Sequence, residues 1–336
     1  MNVNNWKKKL IADSRRIAVP VMTHPGIEMI GNNVKEAVSS GKVHFEAVKA
    51  LSEKYPLPEA MTSIMDLSVE AQAFGSLVSF SYDSIPSVEG RLVEDAAGID
   101  ALQVPSLDSA RVPEYLQAAR LSTTIAKPVF AGCIGPFSLA GRLYGMTEIM
   151  MGIYIEPEAM HVLLEKCTEF LIQYVKAIKD CGSIGVIMAE PASGLISNED
   201  CHVFCTPYVK NIVDACQDEN FAIVLHNCGN TGHCTESMVA TGAWGFHFGN
   251  KIDMLQALED CPQDALVFGN LDPVSVFKQA DADTVYKLTS NLLQATAKYP
   301  NFVLSSGCDT PPGVSEENID AFYKALEDFN NEANSH

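Results

Sequence analysis

Eight short apolar runs, rich in β-branched and aromatic residues, divide this chain of 336 residues: 17–22, 77–82, 128–133, 184–189, 221–226, 243–248, 265–270 and 302–306. As a set they do not alternate polar with apolar, the pattern of strands buried on both faces of a parallel sheet. Helical stretches separate them, at 111–125, 158–180, 199–217, 232–241, 273–298 and 315–329. The clearest is 158–180, where Leu163, Cys167, Phe170, Leu171, Tyr174 and Ile178 make one apolar stripe and Gly182 follows as a stop. Eight strands alternating with helices predict an α/β fold, a (β/α)8 TIM barrel forming a single domain over residues 1–336. On this reading 24–75 is an N-terminal helical insertion after the first strand. The alternative is a doubly wound open sheet, but no glycine-rich dinucleotide loop supports it. A composition 47% hydrophobic is ample for either core.

Charge narrows the partners. The formal net charge is -19 and the pI near 4.7, so phosphate backbones are repelled and nucleic acid is not expected as a partner. Only six arginines are present, few for a polyanionic substrate. The ten cysteines have no regular spacing, and no apolar leader follows Lys7-Lys8-Lys9. Nothing approaches the roughly 18 apolar residues of a membrane span. The simplest expectation is a soluble cytoplasmic protein with reduced thiols and no membrane association.

A barrel of this kind builds its site at the C-terminal ends of its strands. Those ends carry His24, Asp83, Cys133, Glu190, His226 with Cys228, His247 with Asn250, Asn270 with Asp272, and Cys308 with Asp309. Turn chemistry alone explains Asn and Asp at such places. It does not explain the His and Cys. His226, Cys228 and Cys308, converging from two strand ends, would make a three-ligand zinc site. Three soft ligands with a fourth position open is the pattern of catalytic zinc, whereas structural zinc is enclosed by four. The competing reading is two core thiols and an unrelated histidine, since buried free cysteine is common.

The stretch His226-Asn-Cys-Gly-Asn-Thr231, then Thr241-Gly-Ala-Trp-Gly-Phe246, resembles the cobalamin:thiol methyltransferases of the uroporphyrinogen decarboxylase superfamily. So do Glu190-Pro-Ala-Ser-Gly194, Gly269-Asn-Leu-Asp-Pro273 and Ser306-Gly-Cys-Asp309, all in order over about 184–315. The methylcobamide:coenzyme M methyltransferases are the branch most resembled. The resemblance implies a (β/α)8 barrel with zinc on His226, Cys228 and Cys308. That family shows an acidic residue, a plausible fourth ligand, where this chain has Asn250 before Lys251. An amide binds zinc poorly, so water, His247 or Glu190 is expected in its place.

The function so implied is a zinc-dependent methyltransferase. It would move a methyl group from methylcobalamin or another methyl-corrinoid, carried by a corrinoid protein, to a small thiol that zinc holds as thiolate. Glu190 is a candidate to orient a ligand or take the thiol proton, or is a solvated strand-end carboxylate. Asp309 is a candidate to support the ligand Cys308, or is a turn residue. His24, Asn230, His247 and Asn250 are candidate cofactor-binding groups. For His24 and His247 the alternative is a hydrogen-bonded barrel histidine, and for Asn230 a cap on the helix from 232. A uroporphyrinogen decarboxylase-like activity is the second reading. Against it, Val21-Met-Thr-His-Pro-Gly26 lacks the arginines which that family carries after its first strand. The third is a corrinoid- or metal-binding protein without turnover.

Overall fold

In a computed structural model describing residues 1–13 and 15–333, nine strands form. They are β1 Met61–Thr62, β2 Leu77–Ser79, β3 Ser87–Glu89, β4 Val129–Ile134, β5 Gly185–Ala189, β6 Ala222–Asn227, β7 Gly245–Phe248, β8 Leu266–Leu271 and β9 Phe302–Ser306. Seven make one parallel sheet in the order β1-β4-β5-β6-β7-β8-β9. The extended segment 17–22 fills the remaining position. Ala18 bridges Leu304 of β9 in parallel, with Val19 N–H donating to Leu304 O and Leu304 N–H to Ile17 O. On its other side Glu59 N–H donates to Ala18 O, just ahead of β1. The sheet therefore closes into an eight-position α/β barrel.

Side chains alternating along the strands fill its interior. Val19, Val21, Phe130, Ile187, Val224, Phe268 and Val303 belong to one buried cluster. The helix Val3–Ala12 covers the N-terminal end, where Trp6 stacks on Trp244 with ring centroids 5.8 Å apart. Outside, the helix Pro157–Asp180 buries the whole stripe expected of it, from Leu163 to Ile178. The stretch 199–217 is two helices, Asn198–Phe204 and Thr206–Cys216, parted at Cys205 ahead of Pro207. The stretch 232–241 keeps one short helix, Thr235–Val239. Among the described residues no helix is long and apolar enough to cross a membrane.

One barrel strand is not where the apolar runs placed it. Run 77–82 contributes β2, which pairs antiparallel with β3 in a hairpin apart from the barrel. The second barrel strand is β1, inside 24–75. The inserted helices His24–Met29, Val34–Ser39 and Gly41–Lys54 therefore occupy only the part before it. The reason is visible in Leu77-Val-Ser-Phe-Ser-Tyr82, which alternates apolar with serine as a half-solvated hairpin does. β1 is only two residues long and follows Pro56 and Pro58, too short for any periodicity to register. Asp83 accordingly sits on the exposed hairpin loop, bonded to Ser81, away from the strand ends.

Behind β1 and β4 lies a buried polar layer. Asp66 accepts from Arg111, Tyr115 and Ser68. Glu70 is less well served: Oε1 accepts Ile134 N–H at 3.0 Å, and Oε2 has no partner. Burial pushes its pKa from 4.5 to about 7. The folded state thus holds the proton more tightly than the unfolded chain. The group costs nothing below pH 4.5, and its penalty grows as pH rises to about 7. Glu70→Gln, a neutral isostere, should gain on the wild type by an amount on the order of 3 kcal/mol between pH 4.5 and pH 8. Denaturant unfolding of both proteins across that range measures the gap. Parallel pH profiles would show that the carboxyl is not desolvated.

Candidate active site at the C-terminal mouth

His226 lies near the end of β6, in register with Ala189 of β5 and His247 of β7. It follows Val224 by two residues, so its side chain points into the barrel. Beyond Asn227 the chain turns sharply, and the side chain of Asn227 shapes the turn. Its Oδ1 accepts the N–H of Gly229 at 2.9 Å and of Asn230 at 3.0 Å, and its Nδ2 donates to Ser193 Oγ at 2.9 Å. This local bonding turns Cys228 back over the barrel. A Cβ on Gly249 would meet the Cys228 Cα at 2.6 Å, so the loop after β7 must carry glycine there. Cys308 arrives from the other side on the turn after β9, where Gly307 N–H donates to Leu271 O at 2.6 Å.

The result is one cluster. Ligand atoms of His226, Cys228 and Cys308 all lie within 4.8 Å of one another. No fourth His, Cys, Asp or Glu atom joins them among the described residues. The two thiols lie close enough to affect each other's acidity. Cys308 donates to Cys228, which with the nearby His226 pulls the Cys228 pKa down to about 4. The same contact, with burial and Asp309, pushes Cys308 well up. His226 Nε2 is buried and has no partner in the protein. A poised thiolate, a second thiol that a cation would deprotonate and an unused imidazole nitrogen suit a soft divalent metal such as zinc.

The other candidates take varied places. His247 sits behind His226, with Nδ1 2.7 Å from His226 Nδ1 and Nε2 2.9 Å from Ser305 Oγ. Burial drives its pKa well below the ordinary value, with His226 adding to the effect. Glu190 is 2% exposed and both its oxygens are engaged. They accept Phe137 N–H at 2.9 Å and Ser138 N–H at 2.6 Å, at the start of the helix Pro136–Tyr144. Burial raises its pKa to about 7 against those bonds. Asn230 is fully buried, its amide spent on Thr235 Oγ1, Gly232 N–H and Cys234 N–H, so it braces the loop. Asn250 is exposed and donates to Asp272 Oδ2 at 2.6 Å. Its backbone nitrogen lies 2.7 Å from where a Cβ on Gly307 would stand, which puts it beside the Cys308 turn.

His24 and Asp309 form a pair at the rim. His24 Nδ1 lies 2.7 Å from Thr310 O and 3.6 Å from Asp309 Oδ1. Burial works against a charge on this imidazole, but Asp309 outweighs it and holds the pKa up. His24 Nε2 and both Asp309 oxygens accept or donate no hydrogen bond within the protein. Asn227, Ser193 and Ser305 were not among the residues singled out from the sequence. Asn227 carried a signal, an Asx residue directly before a Cys-Gly turn, but Ser193 and Ser305 matter only through contacts across strands.

Comparison with known proteins gives four findings. The uroporphyrinogen decarboxylase (URO-D) family model matches residues 15–329. A methylcobamide:CoM methyltransferase of Methanosarcina acetivorans is 28% identical over 278 residues, 81% of this chain and 80% of that protein. A uroporphyrinogen decarboxylase of Synechococcus sp. strain CC9605 is 28% identical over 248 residues, 70% of this chain and 69% of that protein. Among solved structures, a methyltransferase from Methanosarcina mazei superposes with a TM-score of 0.87 over 98% of both chains, at 21% identity, a likeness of fold.

If the cluster holds metal, the purified protein carries about one zinc per chain. Cys228→Ser and Cys308→Ser should each lose most of it in elemental analysis. Full retention in both variants would take the metal away from these residues.

Proposed function

The chain belongs to the uroporphyrinogen decarboxylase family, and from that premise we propose that it is a corrinoid-dependent methyltransferase. It moves a methyl group from a methyl-corrinoid, carried by a partner protein in the cytoplasm, to a small thiol. His226, Cys228 and Cys308 hold zinc. The observation that carries this reading is three soft ligand atoms gathered at the barrel mouth, with no fourth ligating residue joining them among the described residues. Such a centre has a place for a substrate sulfur. The methyltransferase relative supports it, covering about four-fifths of both chains. When bound, zinc would lower the pKa of the acceptor thiol and hold it as the thiolate.

The protein's own groups prepare that encounter. Asn227 and Asn230 fix the loop so that Cys228 faces Cys308. Asp309 stands beside Cys308 and faces His24, and neither of its oxygens is committed to a hydrogen bond, which places it to accept the acceptor's thiol proton. Glu190 anchors the first turn of the helix Pro136–Tyr144, with one N–H bonded to each of its oxygens. In the transfer the sulfur–methyl bond forms, the cobalt–carbon bond breaks, and the bonding pair leaves with cobalt.

The decarboxylase relative argues for a second reading, but the charges do not favour it. A substrate with several carboxylates needs several free cations. Five of the six arginines are engaged elsewhere, with Asp13, Ala297 O, Glu148, Asp66 and Cys181.

The test is methyl loss from methylcobalamin in the presence of a panel of thiols, with uroporphyrinogen consumption measured in parallel. Thiol methylation should stop when a chelator removes zinc and return when zinc is restored. The far-ultraviolet circular dichroism should stay unchanged, because the metal joins strand ends of a barrel whose core is large without it. Uroporphyrinogen turnover by the metal-free protein would establish the decarboxylase instead. Zinc binding with neither activity would leave a binding protein.

A further inference from the structure

Behind the proposed metal centre runs a chain of hydrogen bonds whose protons can be placed one by one. It starts at Val19 O, in the extended segment that closes the barrel. A carbonyl only accepts, and Ser305 Oγ lies 2.8 Å from it. Ser305 has one hydroxyl proton, and that contact uses it. Without it Val19 O would be left buried with no hydrogen bond, a state folded proteins avoid. Ser305 Oγ therefore accepts from its other neighbour, His247 Nε2, at 2.9 Å. A neutral imidazole carrying its proton on Nε2 has a lone pair on Nδ1. His247 Nδ1 faces His226 Nδ1 at 2.7 Å. Two nitrogens that close need one proton between them, and His247 has none left to give. His226 Nδ1–H is the donor, so the lone pair of His226 lies on Nε2. That is the atom found buried and without a protein partner.

We propose that His247 and Ser305 are positioning residues of the metal centre: together they set the tautomer of His226 and aim its Nε2 lone pair at the ion. The proposal rests on the zinc reading given above. Metal-binding histidines are ordinarily braced by a carboxylate, a carbonyl or water, and loss of the brace typically costs about 10–100-fold in affinity. Here the brace is a second, neutral imidazole, itself oriented by a hydroxyl and packed against Phe268 with ring centroids 6.2 Å apart. It adds no negative charge behind a centre that already has two thiols. The relay also crosses the seam of the barrel: its members come from β6, β7, β9 and the segment 17–22.

Two measurements judge it. The first is long-range ¹H–¹⁵N correlation spectroscopy of the metal-free, ¹⁵N-histidine-labelled protein, with His226 and His247 assigned through single variants. His226 should be the Nδ1–H tautomer and His247 the Nε2–H tautomer. A proton on His226 Nε2 would overturn the proposal. The second is zinc affinity by competition with a chromophoric chelator. Ser305→Ala should bind zinc about 10–100-fold more weakly, while Ser305→Thr, which keeps the hydroxyl, stays near wild type. Ser305→Ala binding as tightly as wild type would equally overturn it. If the wild-type protein bound no zinc, the zinc reading itself would fail. The tautomer spectra would still decide the order of the protons.

Discussion

Everything at the mouth of this barrel depends on how the sheet closes. The segment 17–22 is held on β9 by a single bridge and the hydrogen bonds around it, and on the β1 side through Glu59. That brings β9, with Ser305 and the Cys308 turn, opposite β6 and β7 with His226, Cys228 and His247. An open sheet would leave β9 at an edge, unable to meet β6 across an interior. Closure is thus a condition for the three ligand atoms to converge. It also satisfies the backbone groups that an edge strand would leave unpaired.

The two sides of the site are held by different means. On the β6 side the loop organises itself: Asn227 and Asn230 bond to N–H groups between positions 229 and 234, and Ser193, in the short helical turn Pro191–Leu195 after β5, anchors Asn227. On the β9 side the turn is held by its neighbours, through Gly307 on Leu271 and Thr310 N–H on Val21 O. A thiol on a self-braced loop and one on a strand-end turn need no large rearrangement to face each other. Their contact eases the loss of a first proton from the pair and opposes the loss of a second.

The carboxylates show why residue type at a strand end does not decide a role. Glu190 and Asp309 both stand just past the ends of barrel strands, Glu190 after β5 and Asp309 on the turn after β9. Glu190 turns to the neighbouring helix and spends both oxygens on its first N–H groups, an arrangement the helix dipole favours. Asp309 stays at the mouth beside His24, with neither oxygen committed to a hydrogen bond. His24 and His247 divide in the same way, one at the rim beside Asp309 and one inside behind His226.

The sequence by itself determined the barrel and singled out His226, Cys228 and Cys308, whose side chains converge at its mouth. Uniform apolar runs between amphipathic helices can bury both faces only in a parallel α/β layer, and His226, Cys228 and Cys308 are types that turn chemistry does not call for. It misplaced the second strand, because β1 is two residues long and is held by its neighbours, while the alternating run 77–82 has strand character that belongs to a hairpin. Tertiary structure alone decided which polar groups face the mouth, which brace a helix, and which nitrogen of His226 is free. Those outcomes depend on contacts between residues 20 to about 290 positions apart, such as His226 with His247 and Ser305 with Val19. No local pattern encodes a proton's place in such a chain, because each proton is fixed by a partner that only the closed barrel brings near.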